Sequence, residues 1–156
     1  MRMISKENKC NDKEKVSNYS FSNNNKLFQL TITNNFEIKI NNKFFGFLNY
    51  DKENKIFRID FDFETLRSNF SLKINEFEFR ERIFNLENEF KRKFKICVLE
   101  NIDDNDYIIE WDMEKIYDKF ELEKCQNIKD ILEGLKFRYI LYMFLDYLKN
   151  KFSLNF

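Results

Sequence analysis

Asp60, Asp62 and Glu64 alternate with Phe61 and Phe63 in the run Ile59 to Glu64. A β-strand turns every second side chain to one face, so this spacing gathers three carboxylates. Grouped carboxylates can hold Mg²⁺ and support phosphoryl transfer or nuclease chemistry, which makes Asp60 and Asp62 the residues of a Mg²⁺-dependent enzyme reading. The same pattern is also what an amphipathic strand needs to stay soluble, with Lys39 or Lys43 as cross-strand partners. The structural reading is preferred, since the intervening Phe residues require a polar opposite face.

Other catalytic constellations are scarce. Glu110, Asp112, Glu114 and Lys115 loosely resemble the acidic-plus-lysine set of restriction-type nucleases, but no upstream Asp in a suitable context completes it. The chain has no His, which removes the commonest general base and transition-metal ligand. Its two glycines, Gly46 and Gly134, lie far apart and form no phosphate-cradling loop. Cys10, Cys97 and Cys125 are an odd number without CxxC spacing, and are expected as reduced thiols. No catalytic residue, metal or cofactor is expected.

Two charged stretches bear on binding. Lys91, Arg92, Lys93 and Lys95 could contact phosphate and support an RNA- or DNA-interacting reading. They also stand where a helix C-terminus favours cations. Between Glu100 and Glu114 the chain carries acids and no base, with Asp103, Asp104 and Asp106 beside Tyr107 and Trp111. Acidic charge steers encounter and aromatics anchor interfaces, so these five residues are the expected contact site for a protein with a basic surface.

Composition narrows the class. The 20 Phe, the abundant Ile, Lys and Asn, and the absence of Pro point to an AT-rich genome. Lys plus Arg total 27 and Asp plus Glu total 27, without the basic excess usual for nucleic-acid binding. The opening residues lack the apolar core of a secretory signal, and the longest apolar run, residues 139–145, is too short to span a bilayer. A cytoplasmic protein with no membrane partner is expected.

The elements that would position these residues follow from periodicity. Residues 1–25 are polar and read as a disordered arm, followed by a single α+β domain over residues 26–156. Period-two alternation over residues 27–63 predicts an antiparallel four-stranded meander, with Asn34-Asn35, Asn41-Asn42 and residues 51–54 as turns. Residues 69–74 suggest a fifth strand. Phe28, Ile38, Phe47, Phe57, Ile59 and Phe61 are expected inside, and Arg58, Asp60 and Asp62 outside. Asn75 with Glu78 marks a capped helix over residues 76–94, and further helices are expected over 113–122 and 128–152. Residues 96–99 and 107–111 read as two short strands.

The last helix is apolar on two sides. Ile131, Leu135, Tyr139 and Tyr142 mark one, and Phe137, Leu141, Phe144, Leu148 and Phe152 the other. One side covers the sheet, and the other suits a second layer or a homodimer. The expected function is a small non-enzymatic protein-binding module, of inhibitor, antagonist or immunity type, encoded by an AT-rich bacterium or its phage or mobile element. Nucleic-acid contact through residues 91–95 is the first alternative and the Mg²⁺-dependent enzyme the second.

Overall fold

The computed structural model describes residues 17–23, 26–101 and 106–156. The alternating segment forms β2 (Lys26–Ile32), β3 (Glu37–Ile40), β4 (Lys43–Asp51) and β5 (Ile56–Asp62), paired in sequence as an antiparallel meander. Asn41 and Asn42 take φ of 51° and 70° in the β3–β4 turn, the left-handed pair that a two-residue hairpin requires. Asp51 closes the next turn by accepting from the Asn54 backbone N–H at 3.1 Å and its amide Nδ2 at 2.7 Å.

Three further strands extend this meander. β1 (Ser17–Asn23) pairs with β2, although it falls within the stretch expected to be a disordered arm. Mean polarity misleads here, because ladder hydrogen bonds to an existing strand need few apolar side chains. Residues 1–16 and 24–25 lie outside the described residues. β6 (Ile96–Asn101) and β7 (Asp106–Asp112) form a hairpin, and β7 pairs with β5, setting Phe57 against Trp111 and Phe61 against Tyr107. Among the described residues the sheet therefore has seven strands in the order β1-β2-β3-β4-β5-β7-β6.

The expected fifth strand is absent: residues 69–70 end a helix and 71–75 form an irregular link. Asp62 accepts the Thr65 N–H at 2.7 Å and caps α1 (Phe63–Phe70), so Phe63, Leu66 and Phe70 bury at helical rather than strand spacing. The predicted helix over 76–94 is two, α2 (Glu76–Asn85) and α3 (Glu87–Phe94), with Leu86 between them. Asn75 Oδ1 accepts the Glu78 N–H at 2.8 Å, as its position foretells. A 3-10 turn (Met113–Lys115) and α4 (Lys119–Glu123) occupy the predicted helix over 113–122. The last predicted helix divides into α5 (Ile128–Glu133) and α6 (Leu135–Phe152), because Gly134 between them is extended at φ −77°, ψ 128°.

One face of the sheet and the helices enclose an aromatic core. Phe57 and Trp111 pack on Phe137 of α6 with centroids 4.5 and 5.4 Å away, and Phe28 stacks on Tyr142 at 4.6 Å. Phe144, on the same side of α6 as Phe137, and Tyr147 meet Phe90 and Phe94 of α3. Each such ring pair adds about 0.5–1.5 kcal/mol beyond its area burial. The two apolar sides of α6 are thus largely used within the chain. Leu135 and Tyr139 are the exceptions, 75% and 64% exposed.

Candidate protein-contact surface

A bulge in β4 determines what the other sheet face presents. Ile38 pairs with Gly46 while Lys39 pairs with Phe44, leaving Phe45 as the extra residue. Phe45 is buried, the alternation shifts, and Phe47 turns outward with 50% of its surface exposed. The expectation that Phe47 lies in the core is corrected accordingly. Phe28, Ile38, Phe57, Ile59 and Phe61 are buried as expected.

Strand register then builds a row across the open face. Leu99 stands opposite Ile108, Ile108 opposite Asp60, Asp60 opposite Phe47, and Phe47 opposite Glu37. Leu99 is 40% exposed. Phe44 meets Phe47 edge-on at 5.0 Å. Beside this row Asp62 stands opposite Asp106, and Glu110 stands between Arg58 and Cys97. The Arg58–Glu110 ion pair closes to 2.5 Å. Hydrogen bonds from Asn54 hold the Asp51 carboxyl below its ordinary value, and Arg58 also lowers it through its charge. Lys39 shares this face, opposite Phe44, so acids outnumber bases around an apolar centre.

Several residues singled out from sequence fall elsewhere. Tyr107 and Trp111 are fully buried on the core face, so neither serves as a surface anchor. Trp111 sits edge-on to Phe57, Phe137 and Phe144, at 6.1, 5.4 and 5.2 Å. Strand parity explains the correction: Tyr107, Ile109 and Trp111 share one face of β7, and the acids occupy the other. Asp106 lies on the open face, while Asp103 and Asp104 lie outside the described residues.

Asp60 and Asp62 do point outward, and the carboxylate of Asp62 is engaged as the α1 cap. Among the described residues, no group of three or more His, Cys, Asp or Glu is arranged to hold a metal ion.

The basic cluster is divided by its helix. Lys91 pairs with Glu87 at 3.4 Å and, with Lys95 and Lys115, lines a cleft of about 440 Å³ beside Ile56, Cys97 and Asp112. Lys93 instead turns to α6, its ammonium 5.1 Å from the Tyr147 ring, while Arg92 is exposed. Cys97 and Cys125 are free thiols, and burial pushes the Cys125 thiol up. No helix among the described residues is long and apolar enough to cross a membrane.

Sequence reasoning missed Phe47 and Leu99. A signal for the first was present, since an isolated Gly46 within a strand pattern marks a bulge. Compared with protein-family models, curated proteins and solved structures, the chain matches none.

Proposed function

We propose that this chain is a protein-binding module that works by direct contact through the open face of its sheet. The observation that carries this reading is the row Leu99–Ile108–Asp60–Phe47, in which exposed Leu99 and Phe47 flank half-buried Ile108 and Asp60. An apolar centre with a charged surround has the anatomy of a protein interface, where apolar burial supplies affinity and charge supplies steering and register. Its acidity calls for a partner with a basic surface. An inhibitor, antagonist or immunity-type role suits such a module, because blocking another protein requires a complementary surface and no catalytic group.

Nucleic acid is the weaker reading. Its phosphates would meet the acidic face unfavourably, and the residues offered for it, Lys91, Arg92, Lys93 and Lys95, do not share one surface. Affinity capture from the encoding organism, with and without nuclease, tests the proposal. A protein retained after nuclease, and released by moderate salt, supports it. Capture that vanishes with nuclease overturns it.

A further inference from the structure

The outward side of α6 is rich in bases. Within α6, Lys136, Arg138, Lys149 and Lys151 outnumber one acid, Asp146, which is buried, and Glu89 of α3 accepts from the Tyr147 hydroxyl beside them. Lys93 of α3 joins them, since its ammonium and that of Lys151 lie 5.1 and 5.4 Å from the same Tyr147 ring. Leu135 and Tyr139, one helical turn apart, supply exposed apolar area along this basic side. The open sheet face has the converse pattern, acids around Phe47 and Leu99. The chain's neutral total, 27 bases against 27 acids, therefore includes two oppositely charged faces. Because α6 covers the core face of the sheet, the two lie on opposite sides of the molecule.

From this complementarity we infer that the chain associates with itself head to tail, the open sheet face of one copy docking on the outward side of α6 in the next. The inference rests on the reading of the open face as a contact surface and names a second copy as its partner. Dimensions agree. The row from Leu99 to Phe47 crosses three inter-strand steps, about 14 Å, and the exposed turn from Leu135 to Tyr139, about 6 Å of helix, fits within it. Apolar side chains can thus meet along the row, with Lys136 set against the acids around it. Two different patches make a heterologous contact that does not close by a two-fold axis, so copies stack beyond a dimer. Burial of Leu135, Tyr139, Phe47 and Leu99 gives the contact its affinity, and opposite charge gives its direction.

Sedimentation equilibrium on the purified chain tests this, using Phe47→Ser with Asp60→Asn to disable the sheet face, and Lys136→Gln with Tyr139→Ser to disable the helix face. The expected wild-type mass rises with concentration past the dimer and falls as salt is added. Each variant alone is monomeric, with association weakened about tenfold or more. An equimolar mixture of the two stops at a dimer, because each retains one working face. Circular dichroism melts confirm folding, and where a double variant unfolds, the single changes at Phe47 and Tyr139 carry the same comparison. A wild type that stays monomeric at every concentration overturns the inference, as does a mixture that stays monomeric or a variant that still assembles alone. A monomeric wild type leaves the contact reading of the sheet face intact, because that reading is tested by capture of a different protein.

Discussion

The backbone of Gly46 approaches β5 so closely that a Cβ there would lie 2.4 Å from the carbonyl oxygen of Asp60 and 3.1 Å from Cβ of Phe61. This contact lets β4 bulge without leaving its neighbour, and so sets the outward aim of Phe47. Gly46→Ala must push β5 away. It is expected to cost about 1–3 kcal/mol in denaturant unfolding and to weaken partner capture, since Phe47 and Asp60 move with the strands. Unchanged stability would show that β4 and β5 separate without cost.

Trp111→Ala should act on the fold. Its indole is fully buried against Phe57, Phe137 and Phe144, so truncation is expected to cost about 3–5 kcal/mol. Phe61→Ala, at a site also buried, should fall in the same range. The check is paired measurement of unfolding and of affinity in the fraction that remains folded. A Trp111 variant of normal stability that no longer binds would return this residue to the interface.

What could be read from the chain beforehand is explained by locality. The strands from Lys26 to Asp62 and the Asn75 cap are encoded by neighbouring residues, through alternation and side-chain hydrogen bonds. The features that were misread depend on distant ones. Phe70, Leu72 and Ile74 alternate like a strand, yet Asp62 caps a helix that already holds Phe70. Whether Trp111 faces the core or solvent is decided by its pairing with Phe57, 54 positions earlier in the chain. The acidic-aromatic stretch does concentrate charge. Its aromatics belong to the other face, and the exposed apolar residues of the open face, Phe47 and Leu99, come from β4 and β6, with half-buried Ile108 of β7 between them.

Scarcity of glycine leaves ordinary residues in left-handed backbone. Ser71 ends α1 at φ 59°, ψ 38°. Relieving that strain outweighs the greater freedom glycine has in the unfolded chain, so Ser71→Gly should stabilise by about 0.5–1 kcal/mol. A lowered thermal midpoint would mean that the Ser71 side chain makes a contact worth more than the strain.

Alkaline pH should expose Tyr117. Burial raises its hydroxyl from the ordinary 10.0 to about 12, although its acceptance of the Phe137 N–H works against the shift. A raised folded value means that the unfolded chain ionises first. The contribution is therefore intact below pH 10.0 and lost as pH rises to about 12. Tyr117→Phe should flatten the slope of stability against pH in that window while lowering stability at neutral pH, where Phe137 N–H loses its acceptor. An unchanged slope would assign alkaline sensitivity to other tyrosines, among them Tyr147, which is raised by burial and by its hydrogen bond to Glu89.

The central claim is that the open sheet face recognises a protein, and side-by-side affinity capture of wild type and the Phe47→Ser, Asp60→Asn variant addresses it most directly. Both baits are nuclease-treated, matched for folding by their melts, and compared by quantitative mass spectrometry. The account predicts a basic protein enriched on the wild type and reduced about tenfold or more on the variant. Equal recovery of every bound protein on the two baits would contradict it.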